Sequence, residues 1–208
     1  MSYSGVIFDL DGVLCSTDQY HFQAWQQLAR KLGIPFSQED NHALRGVSRM
    51  ECLEILLKKG GLVCSEKEKR ALAEEKNRQY RELLQQMPAS LLSNDVRSTL
   101  LLLRQKGCKL AVGSSSKNAR LILDKIGLEA FFDAVVDGTS ISRSKPHPEV
   151  FLKAAEQLEL SPAQCLVVED AQAGVEAACR GGFDCAVLGC AEKAKWQIQS
   201  LKELLKIC

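Results

Sequence analysis

The distribution of hydrophobic and polar positions along the chain predicts a parallel α/β core. Short apolar segments rich in β-branched residues end in polar or glycine-containing turns, and they predict strands in GVIFD from Gly5, KLAVGS from Lys109, DAVVDG from Asp133, CLVVED from Cys165 and CAVLG from Cys185. Helical patterns of about ten residues, such as ARLILDKIGL and EVFLKAAEQLEL, separate the last four segments. Such alternation favours a parallel sheet with helices on both faces.

The stretch from Thr17 to Pro88 departs from this alternation. It contains no convincing strand and at least three helical segments, among them YHFQAWQQLARKLG and SEKEKRALAEEKNRQYRELLQQ. Ser65 and Glu68 have the spacing of a capping box at the start of the long helix, and Pro88 marks its end. We therefore expect an inserted α-helical domain over residues 17–88, with residues 1–16 and 89–208 forming the α/β core domain.

The composition is that of a small soluble protein with no general affinity for polyanions. The 208 residues are 46% hydrophobic, and 27 basic residues against 26 acidic ones leave a net charge of +1. This balance indicates neither nucleic acid nor membrane as a partner. The apolar runs are too short to span a bilayer, and the N-terminal segment lacks a signal-type pattern. We expect a cytoplasmic monomer.

The chain contains nine cysteines, scattered between Cys15 and Cys208. Their number is odd, and neither a CxxC pair nor a Cys/His cluster with zinc spacing occurs. The simplest interpretation is reduced thiols, most of which act as small core hydrophobes.

Polar residues accumulate at the predicted strand ends. In an open parallel sheet, ligands bind beyond the carboxyl ends of the strands. Several carboxylates and a single obvious lysine are expected to meet there, and such a cluster needs a cation, for which oxygen ligands favour Mg²⁺. The residues are Asp9, Asp11, Ser114, Lys145, Glu169 and Asp170.

Phosphoryl transfer would use this set of groups. Asp9 is the predicted nucleophile and would form an aspartyl-phosphate, while Asp11, two residues on, would act as the acid and base. The hydroxyl of Ser114 and the ammonium group of Lys145 would bind the phosphoryl oxygens. Ser116, Lys117 and Asn118 follow at a predicted helix N-terminus, which favours phosphate.

Each of these groups also has an ordinary structural interpretation. A DxD pair is often a solvated turn, Ser114 could cap the next helix, and Lys145 could lie on a solvated loop. The Glu169–Asp170 pair could be a helix cap with acidic first-turn residues. The joint occurrence of all four features just beyond strand or loop ends favours the catalytic interpretation.

Four segments in order, FDLDGV, GSSS, SKPHPEVF and VVEDAQAGVEAA, resemble the motifs of the haloacid dehalogenase (HAD) superfamily of phosphoryl-transfer enzymes. The helical insert resembles that superfamily's C1 cap. Within it, TDQYHFQAWQQLARKLGI, LRGVSR and EKNRQY are similar to the β-phosphoglucomutase subgroup. The resemblance extends from the N-terminus to about Leu188.

The resemblance implies a HAD fold, in which a Rossmann-like core carries a helical cap, and a phosphomutase activity. Phosphorylated Asp9 would convert β-D-glucose 1-phosphate to D-glucose 6-phosphate through β-glucose 1,6-bisphosphate, which is both intermediate and activator. One Mg²⁺ ion would be held by Asp9, the main-chain carbonyl of Asp11, Glu169 and Asp170. The implied substrate-binding residues are Thr17, His21, Gly46, Val47, Arg49, Lys76, Ser115, Ser116, Lys117 and Asn118.

Three of the cap residues would have ordinary roles without this resemblance. His21, which the resemblance assigns to positioning Asp11, would be a half-buried helix residue. Arg49, implied to bind the non-transferring phosphate, would form a surface ion pair. Lys76 would belong to a solvated, charged helix face.

The chain departs from the subgroup at four positions. Ser16 stands where the family commonly has Asp, Arg45 replaces Lys, Cys52 replaces Ser and Ser115 replaces Ala. These departures bear on the sugar that is preferred and leave the core motifs intact.

Two other functions remain open. A sugar-phosphate phosphatase of the same superfamily would use identical core residues and let water resolve the phosphorylated Asp9, although His21, Arg49 and Lys76 argue for the mutase. A non-catalytic sensor of sugar phosphates would have no need for the acid/base residue Asp11.

Overall fold

A computed structural model describes residues 3–44 and 47–208, and the chain divides into two compact units. The α/β unit comprises Met1–Ser16 and Pro88–Cys208 as far as they are described, and the helical unit comprises Thr17–Met87. These bounds differ by one residue from the predicted domains. Gly46, a predicted substrate-binding residue, and Arg45, one of the departures, lie outside the described residues.

The α/β unit is built on a parallel sheet with the strand order β3-β2-β1-β4-β5-β6. Its strands are β1 (Gly5–Phe8), β2 (Lys109–Gly113), β3 (Ala134–Val136), β4 (Cys165–Glu169), β5 (Asp184–Leu188) and β6 (Trp196–Ile198). The five predicted strands and the parallel α/β class are confirmed. The sequence interpretation missed β6, which has three residues, two of them exposed, and pairs only with β5 at the sheet edge.

The described part of the helical unit contains four helices: α1 (Asp18–Lys31), α2 (Gln38–Ala43), α3 (Arg49–Lys59) and α4 (Glu66–Gln85). Those of the α/β unit are α5 (Asn94–Gln105), α6 (Ala119–Lys125), α7 (Glu149–Gln157), α8 (Gln172–Arg180) and α9 (Leu204–Ile207). Short 3₁₀ turns cover Ala89–Leu91, Pro162–Gln164 and Leu201–Glu203.

The core of the α/β unit explains the continuous apolar runs of its strands. Every residue of β1 is buried, as expected for a central strand covered on both faces. Side chains such as Ile7 and Val167 pack in one buried cluster with Phe151 of α7 and Val175 of α8. The apolar strands therefore present only their polar carboxyl ends to a ligand.

The helical unit is held by its own core and by helix caps. Its core cluster includes Trp25 and Leu28 of α1, with Leu53 of α3 and Ala73 of α4. The side chain of Ser65 accepts a hydrogen bond from the backbone N–H of Glu68, which confirms the predicted capping box. Capping boxes of the same kind begin α2 and α3.

All nine cysteines, each within the described ranges, are free thiols, and five of them are buried. The thiol of Cys52, one of the four departures, is directed at the carbonyl oxygens of Leu44, at 3.6 Å, and Val47, at 3.5 Å. Among the described residues, no helix has both the length and the hydropathy that crossing a bilayer requires.

Candidate active site

The predicted core residues meet at the carboxyl end of the sheet, where β1 lies between β2 and β4. Asp9 directly follows β1, and its backbone N–H donates to the carbonyl oxygen of Val168 at 2.9 Å. Ser114 directly follows β2, and Glu169 is the last residue of β4. Neighbouring parallel strands thus bring residues far apart in the sequence to one edge.

Lys145 joins two of these carboxylates. Its ammonium group donates to Oδ1 of Asp9 and, at 2.5 Å, to Oε1 of Glu169. The three side chains are buried, with 8% of the lysine side chain exposed and 11% and 1% of the two acids. The lysine nitrogen also lies 4.7 Å from the ring centroid of Phe151, within cation–π range. Lys145 is therefore a buried residue that bridges two carboxyl groups of the site, and it is not a solvated loop residue.

The carboxylates outnumber this one lysine. Burial raises the pKa of Asp9, and repulsion by Glu169 adds to the rise, although Lys145 opposes it. Desolvation, followed by repulsion from Glu169 and Asp11, raises the pKa of Asp170 to about 7. Two acids that resist ionisation side by side indicate an excess of negative charge, which a divalent cation would neutralise.

The donor atoms fit such a cation. Asp9, Glu169 and Asp170 each offer a carboxylate oxygen, and these oxygens lie within 4.8 Å of one another. Oxygen donors of this kind are the ligands that Mg²⁺ prefers. The side chain of Asp11 is not a member of this group, so its predicted part in metal binding rests on its main-chain carbonyl.

Two glycines leave room for these acids. Gly12 has φ +88°, a left-handed conformation that favours glycine, and a Cβ added there would lie 2.0 Å from Oδ2 of Asp170. A Cβ on Gly174, in the first turn of α8, would lie 1.8 Å from Oε1 of Glu169. The other oxygen of Glu169 accepts the backbone N–H groups of Asp170, at 3.0 Å, and Ala171, at 3.1 Å. The backbone therefore fixes the carboxyl group of Glu169 and leaves room for that of Asp170.

Asp11 lies beside the cluster at the first turn after β1. It is partly exposed and forms an isolated bridge with Cys15, and the N–H of Gly12 donates to the carbonyl of Cys15 at 2.8 Å. This tight turn fixes the backbone next to Asp11, which follows the predicted nucleophile, Asp9, by two residues. A partly exposed carboxyl group in that place is accessible to an incoming hydroxyl group.

The loop after β2 carries the predicted phosphoryl-binding residues. Ser114 is buried, and its Oγ accepts the N–H of Ser116 at 3.2 Å. Since its oxygen is used as an acceptor, its proton can be donated to a phosphoryl oxygen. Asn118 is the N-cap residue of α6, where the sequence predicted a helix start, and Lys117 is exposed. The buried Oγ of Ser115 has no hydrogen-bond partner among the described residues.

The helical unit contains a separate polar cluster of predicted substrate-binding residues. Lys76 is only 2% exposed, and its Nζ lies 2.9 Å from Nδ1 of His21. The same nitrogen lies over the rings of Trp25, at 4.7 Å, and Tyr80, at 4.6 Å. The hydroxyl of Tyr80 donates to Oγ1 of the buried Thr17 at 2.8 Å. The interpretation of Lys76 as part of a solvated face is wrong.

The charges of this cluster act on its histidine. Desolvation, followed by the charges of Lys76 and Arg49, lowers the pKa of His21 well below its usual value. A neutral imidazole then accepts at Nδ1 the hydrogen bond that Lys76 donates. The guanidinium of Arg49 forms a 3.2 Å ion pair with the exposed Glu74, and Val47 lies partly buried before α3.

Sequence reasoning missed several residues of both sites. Phe151, Gly12 and Gly174 carry no reactive group, and their roles follow only from contacts across the fold. Trp25 and Tyr80 could have been predicted from the sequence. Trp25 lies four positions after His21, and Tyr80 lies four positions after Lys76, so each shares a helix face with a predicted site residue.

Comparisons with known sequences identify the proteins that this chain resembles. A family model described as haloacid dehalogenase-like hydrolase matches residues 3–182. A β-phosphoglucomutase of Bacillus subtilis is 41% identical over 174 residues, which cover 83% of this chain and 77% of that protein. A phosphorylated carbohydrates phosphatase of Thermotoga maritima is 35% identical over 182 residues, which cover 86% of this chain and 82% of that protein.

A solved structure confirms the fold. The crystal structure of a β-phosphoglucomutase from Clostridium difficile matches with a TM-score of 0.89 at 36% identity, and the match covers 97% of this chain and 93% of that chain. The resemblance inferred from the four core motifs and the cap segments is confirmed.

Proposed function

Because the chain belongs to the haloacid dehalogenase-like hydrolase family and is an enzyme, we propose that it is a phosphomutase that interconverts β-D-glucose 1-phosphate and D-glucose 6-phosphate. The observation that carries this proposal is the coexistence of two buried charged clusters, one in each unit. A reaction that handles a sugar phosphorylated at both ends needs two sets of phosphate-binding groups. A β-phosphoglucomutase at 41% identity supports the same assignment.

Asp9 is the nucleophile in this proposal. Its carboxylate attacks the phosphorus of the transferring group, the bond from phosphorus to the sugar oxygen breaks, and an aspartyl-phosphate results. Lys145 donates to Asp9 and balances charge on the phosphoryl oxygens, as its position between Asp9 and Glu169 supports. The hydroxyl of Ser114 donates to another of these oxygens.

Asp11 moves the proton. It takes the proton from the sugar hydroxyl that attacks the aspartyl-phosphate and returns it to the sugar oxygen that leaves in the opposite step. Asp9, Glu169, Asp170 and the main-chain carbonyl of Asp11 would hold one Mg²⁺ ion. When bound, this ion supplies charge neutralisation for the transferring phosphoryl group.

The complete cycle consists of two phosphoryl transfers, one from Asp9 and one back to it. Phosphorylated Asp9 gives its phosphoryl group to the 6-hydroxyl of β-glucose 1-phosphate and so forms the 1,6-bisphosphate. The bisphosphate then returns its 1-phosphoryl group to Asp9 and leaves as glucose 6-phosphate. A trace of bisphosphate also activates unphosphorylated enzyme, since it can donate the first phosphoryl group.

Residues of the helical unit recognise the phosphate that is not being transferred. Arg49 presents a forked, permanently charged guanidinium, and Lys76 is a buried cation that His21 and two aromatic rings hold in one orientation. Thr17, Val47 and Gly46 complete this set in the proposal. In the α/β unit, the proposed substrate-binding residues are Ser115, Ser116, Lys117 and Asn118. Hydrolysis of a simple phosphate ester would need only the core cluster.

A ³¹P NMR time course tests the proposal. The protein is mixed with Mg²⁺, β-glucose 1-phosphate and a trace of the 1,6-bisphosphate. We expect the glucose 6-phosphate signal to grow while inorganic phosphate stays constant, and we expect no conversion by the Asp9→Asn variant. Omission of the bisphosphate should produce a lag, because unphosphorylated Asp9 then has no efficient donor.

Growth of inorganic phosphate in place of glucose 6-phosphate would assign the chain to the sugar-phosphate phosphatases. The Thermotoga maritima phosphatase at 35% identity makes this the second candidate. If neither product forms with wild-type protein, the proposed sugar is wrong, and binding of β-glucose 1-phosphate without turnover would point to the sensor.

A further inference from the structure

The first turn of α7 contacts the loop that carries Lys145. The carboxylate of Glu149 accepts the backbone N–H of Ser142 at 3.0 Å, the hydroxyl of Ser142 at 2.9 Å and the backbone N–H of Arg143 at 2.9 Å. Three donors from two successive loop residues therefore converge on one side chain. Such hydrogen bonds to an ionised acceptor are about twice as strong as those between neutral groups.

Lys153, one turn further along α7, extends this contact. Its Nζ lies 2.9 Å from Oε1 of Glu149 and donates to the carbonyl oxygen of Ser140 at 2.6 Å. The hydrogen bond from Lys153, followed by that from the backbone of Ser142, lowers the pKa of Glu149 to about 2. Glu149 is thus ionised throughout the working pH range, and the loop is held at residues 140, 142 and 143.

The loop needs such support because of what Lys145 must do. It spans residues 137–148, between β3 and α7, and long loops of this kind are mobile unless they are fixed. The lysine nitrogen has to lie between Asp9 and Glu169, and a displacement of about 1 Å in an active site can cost about 10²-fold in rate. The same helix also provides Phe151, whose ring lies against that nitrogen.

We propose that Glu149 is a positioning residue for Lys145, acting through the backbone of Ser142 and Arg143. Glu149 itself contacts none of the groups assigned to the phosphoryl site. Its role in turnover rests on the proposed function, whereas its role in placing Lys145 does not. The consequence is that its loss lowers the rate of the chemical step and leaves substrate affinity nearly unchanged.

The Glu149→Gln variant tests the effect on turnover. The amide keeps one acceptor oxygen but loses the charge and the second acceptor, so at least one of the three loop contacts is lost. With β-glucose 1-phosphate, Mg²⁺ and a trace of bisphosphate, we expect kcat to fall about tenfold and KM to change less than about twofold. Glu156→Gln, at an exposed position on the same helix, is the matched control and should leave both constants unchanged.

A double-mutant cycle separates positioning from general support of the fold. In a Lys145→Ala background, Glu149 has no lysine to position, so adding Glu149→Gln should lower kcat no further. The same tenfold loss in both backgrounds would overturn the proposal, because it would show that Glu149 acts independently of Lys145.

Chemical labelling of Lys145 gives a readout that needs no substrate. Acetic anhydride modifies accessible amines, and the ratio of Lys145 to the exposed Lys206 in one sample is measured by mass spectrometry. We expect Glu149→Gln to raise this ratio at least threefold, and Glu156→Gln to leave it unchanged. An unchanged ratio in Glu149→Gln overturns the inference. A raised ratio in a protein that converts no sugar phosphate would support the inference while refuting the proposed function.

Discussion

Each of the two units buries a lysine, and the two lysines are held in different ways. In the α/β unit, Lys145 bridges the carboxylates of Asp9 and Glu169. Burial alone would lower its pKa, but these two charges raise it instead. In the helical unit, Lys76 lies on the rings of Trp25 and Tyr80 and donates to a neutral imidazole.

This difference shows how one chain can provide one site for a cation and another for an anion. Two carboxyl groups accept hydrogen bonds from Lys145, and the excess of carboxylates next to it attracts a cation. Aromatic rings stabilise Lys76 without cancelling its charge, and that charge still acts on His21, whose pKa it helps to lower. A buried ammonium group that lies on aromatic rings and next to a neutral imidazole is suited to an anion such as phosphate.

Removing the lysine that bridges carboxylates should have the largest effect. Lys145→Ala leaves Asp9 and Glu169 without their buried partner, and we expect kcat to fall about 10³-fold. Without metal, the free energy of unfolding should fall by about 3 kcal/mol in urea titrations, and Mg²⁺ should restore part of it. Lys206→Ala is the control for an exposed lysine. A Lys145→Ala variant as stable as wild type without metal would contradict this account.

Removing the lysine that lies on aromatic rings should affect binding more than stability. Lys76→Met keeps most of the side-chain volume but removes the charge, so we expect KM for the sugar phosphate to rise about tenfold or more. Methionine keeps the apolar contacts with the rings and removes the cost of burying a charge, so the free energy of unfolding should fall by less than in Lys145→Ala. If Lys76→Met lost as much stability as Lys145→Ala, the two lysines would be held alike and the comparison would fail.

The third largest effect should be a pH dependence of stability that comes from His21 of the helical unit. Unfolded histidine has a pKa near 6.5, whereas that of folded His21 lies well below it. Below about pH 6.5 the unfolded chain therefore binds a proton that the folded unit does not, and stability falls by at most about 1.4 kcal/mol per pH unit. Above this pH, His21 contributes no pH dependence.

Fluorescence of Trp25 can follow this transition, because the chain has two tryptophans and Trp196→Phe removes the other one. In that background, urea unfolding is measured between pH 5 and pH 8 with His21 present and with His21→Asn. The slope below pH 6.5 should shrink in the asparagine variant. Equal slopes in the two proteins would mean that folding does not lower the pKa of His21.

The smallest effect is expected at Ser115. Its buried hydroxyl oxygen has no partner among the described residues, so Ser115→Ala removes an unsatisfied polar group and should raise the free energy of unfolding by up to about 1 kcal/mol. If the hydroxyl group binds substrate, as the sequence predicts, KM will rise in the same variant. A KM equal to that of wild type would leave only the backbone of Ser115 for the substrate-binding role.

Most of the core site could be predicted from sequence because Asp9, Ser114, Glu169 and Asp170 lie at or directly after the ends of strands. Parallel strands carry those ends to one edge, and the order of the motifs then suffices to place Asp9, Ser114 and Glu169 together. The ring of Phe151 against Lys145 could not be predicted in this way, since a contact between a helix and a loop depends on how both pack. The short edge strand β6 lacked the apolar run that identified the others.

The burial of Lys76 was indicated by the spacing of apolar residues in its helix, but the charged composition of that helix favoured a solvated position. The helix α4 is rich in charged residues, which favoured a solvated face. However, its buried positions are Ala73, Lys76, Tyr80 and Leu84, a single stripe at helical spacing, and this stripe places the lysine among apolar residues. Helix periodicity predicts the burial of Lys76 better than composition does, because periodicity specifies which face of the helix a residue lies on.

The two glycines that face the acidic cluster have a consequence for how this chain tolerates change. Any side chain at Gly12 or Gly174 would occupy the space that a carboxylate oxygen of Asp170 or Glu169 now fills. In a library of random single substitutions selected for activity, these chemically inert positions should therefore be as depleted of variants as the acids themselves. A position that accepts no substitution would then indicate the space that a neighbouring acid requires, and not only the chemistry of the residue that was replaced.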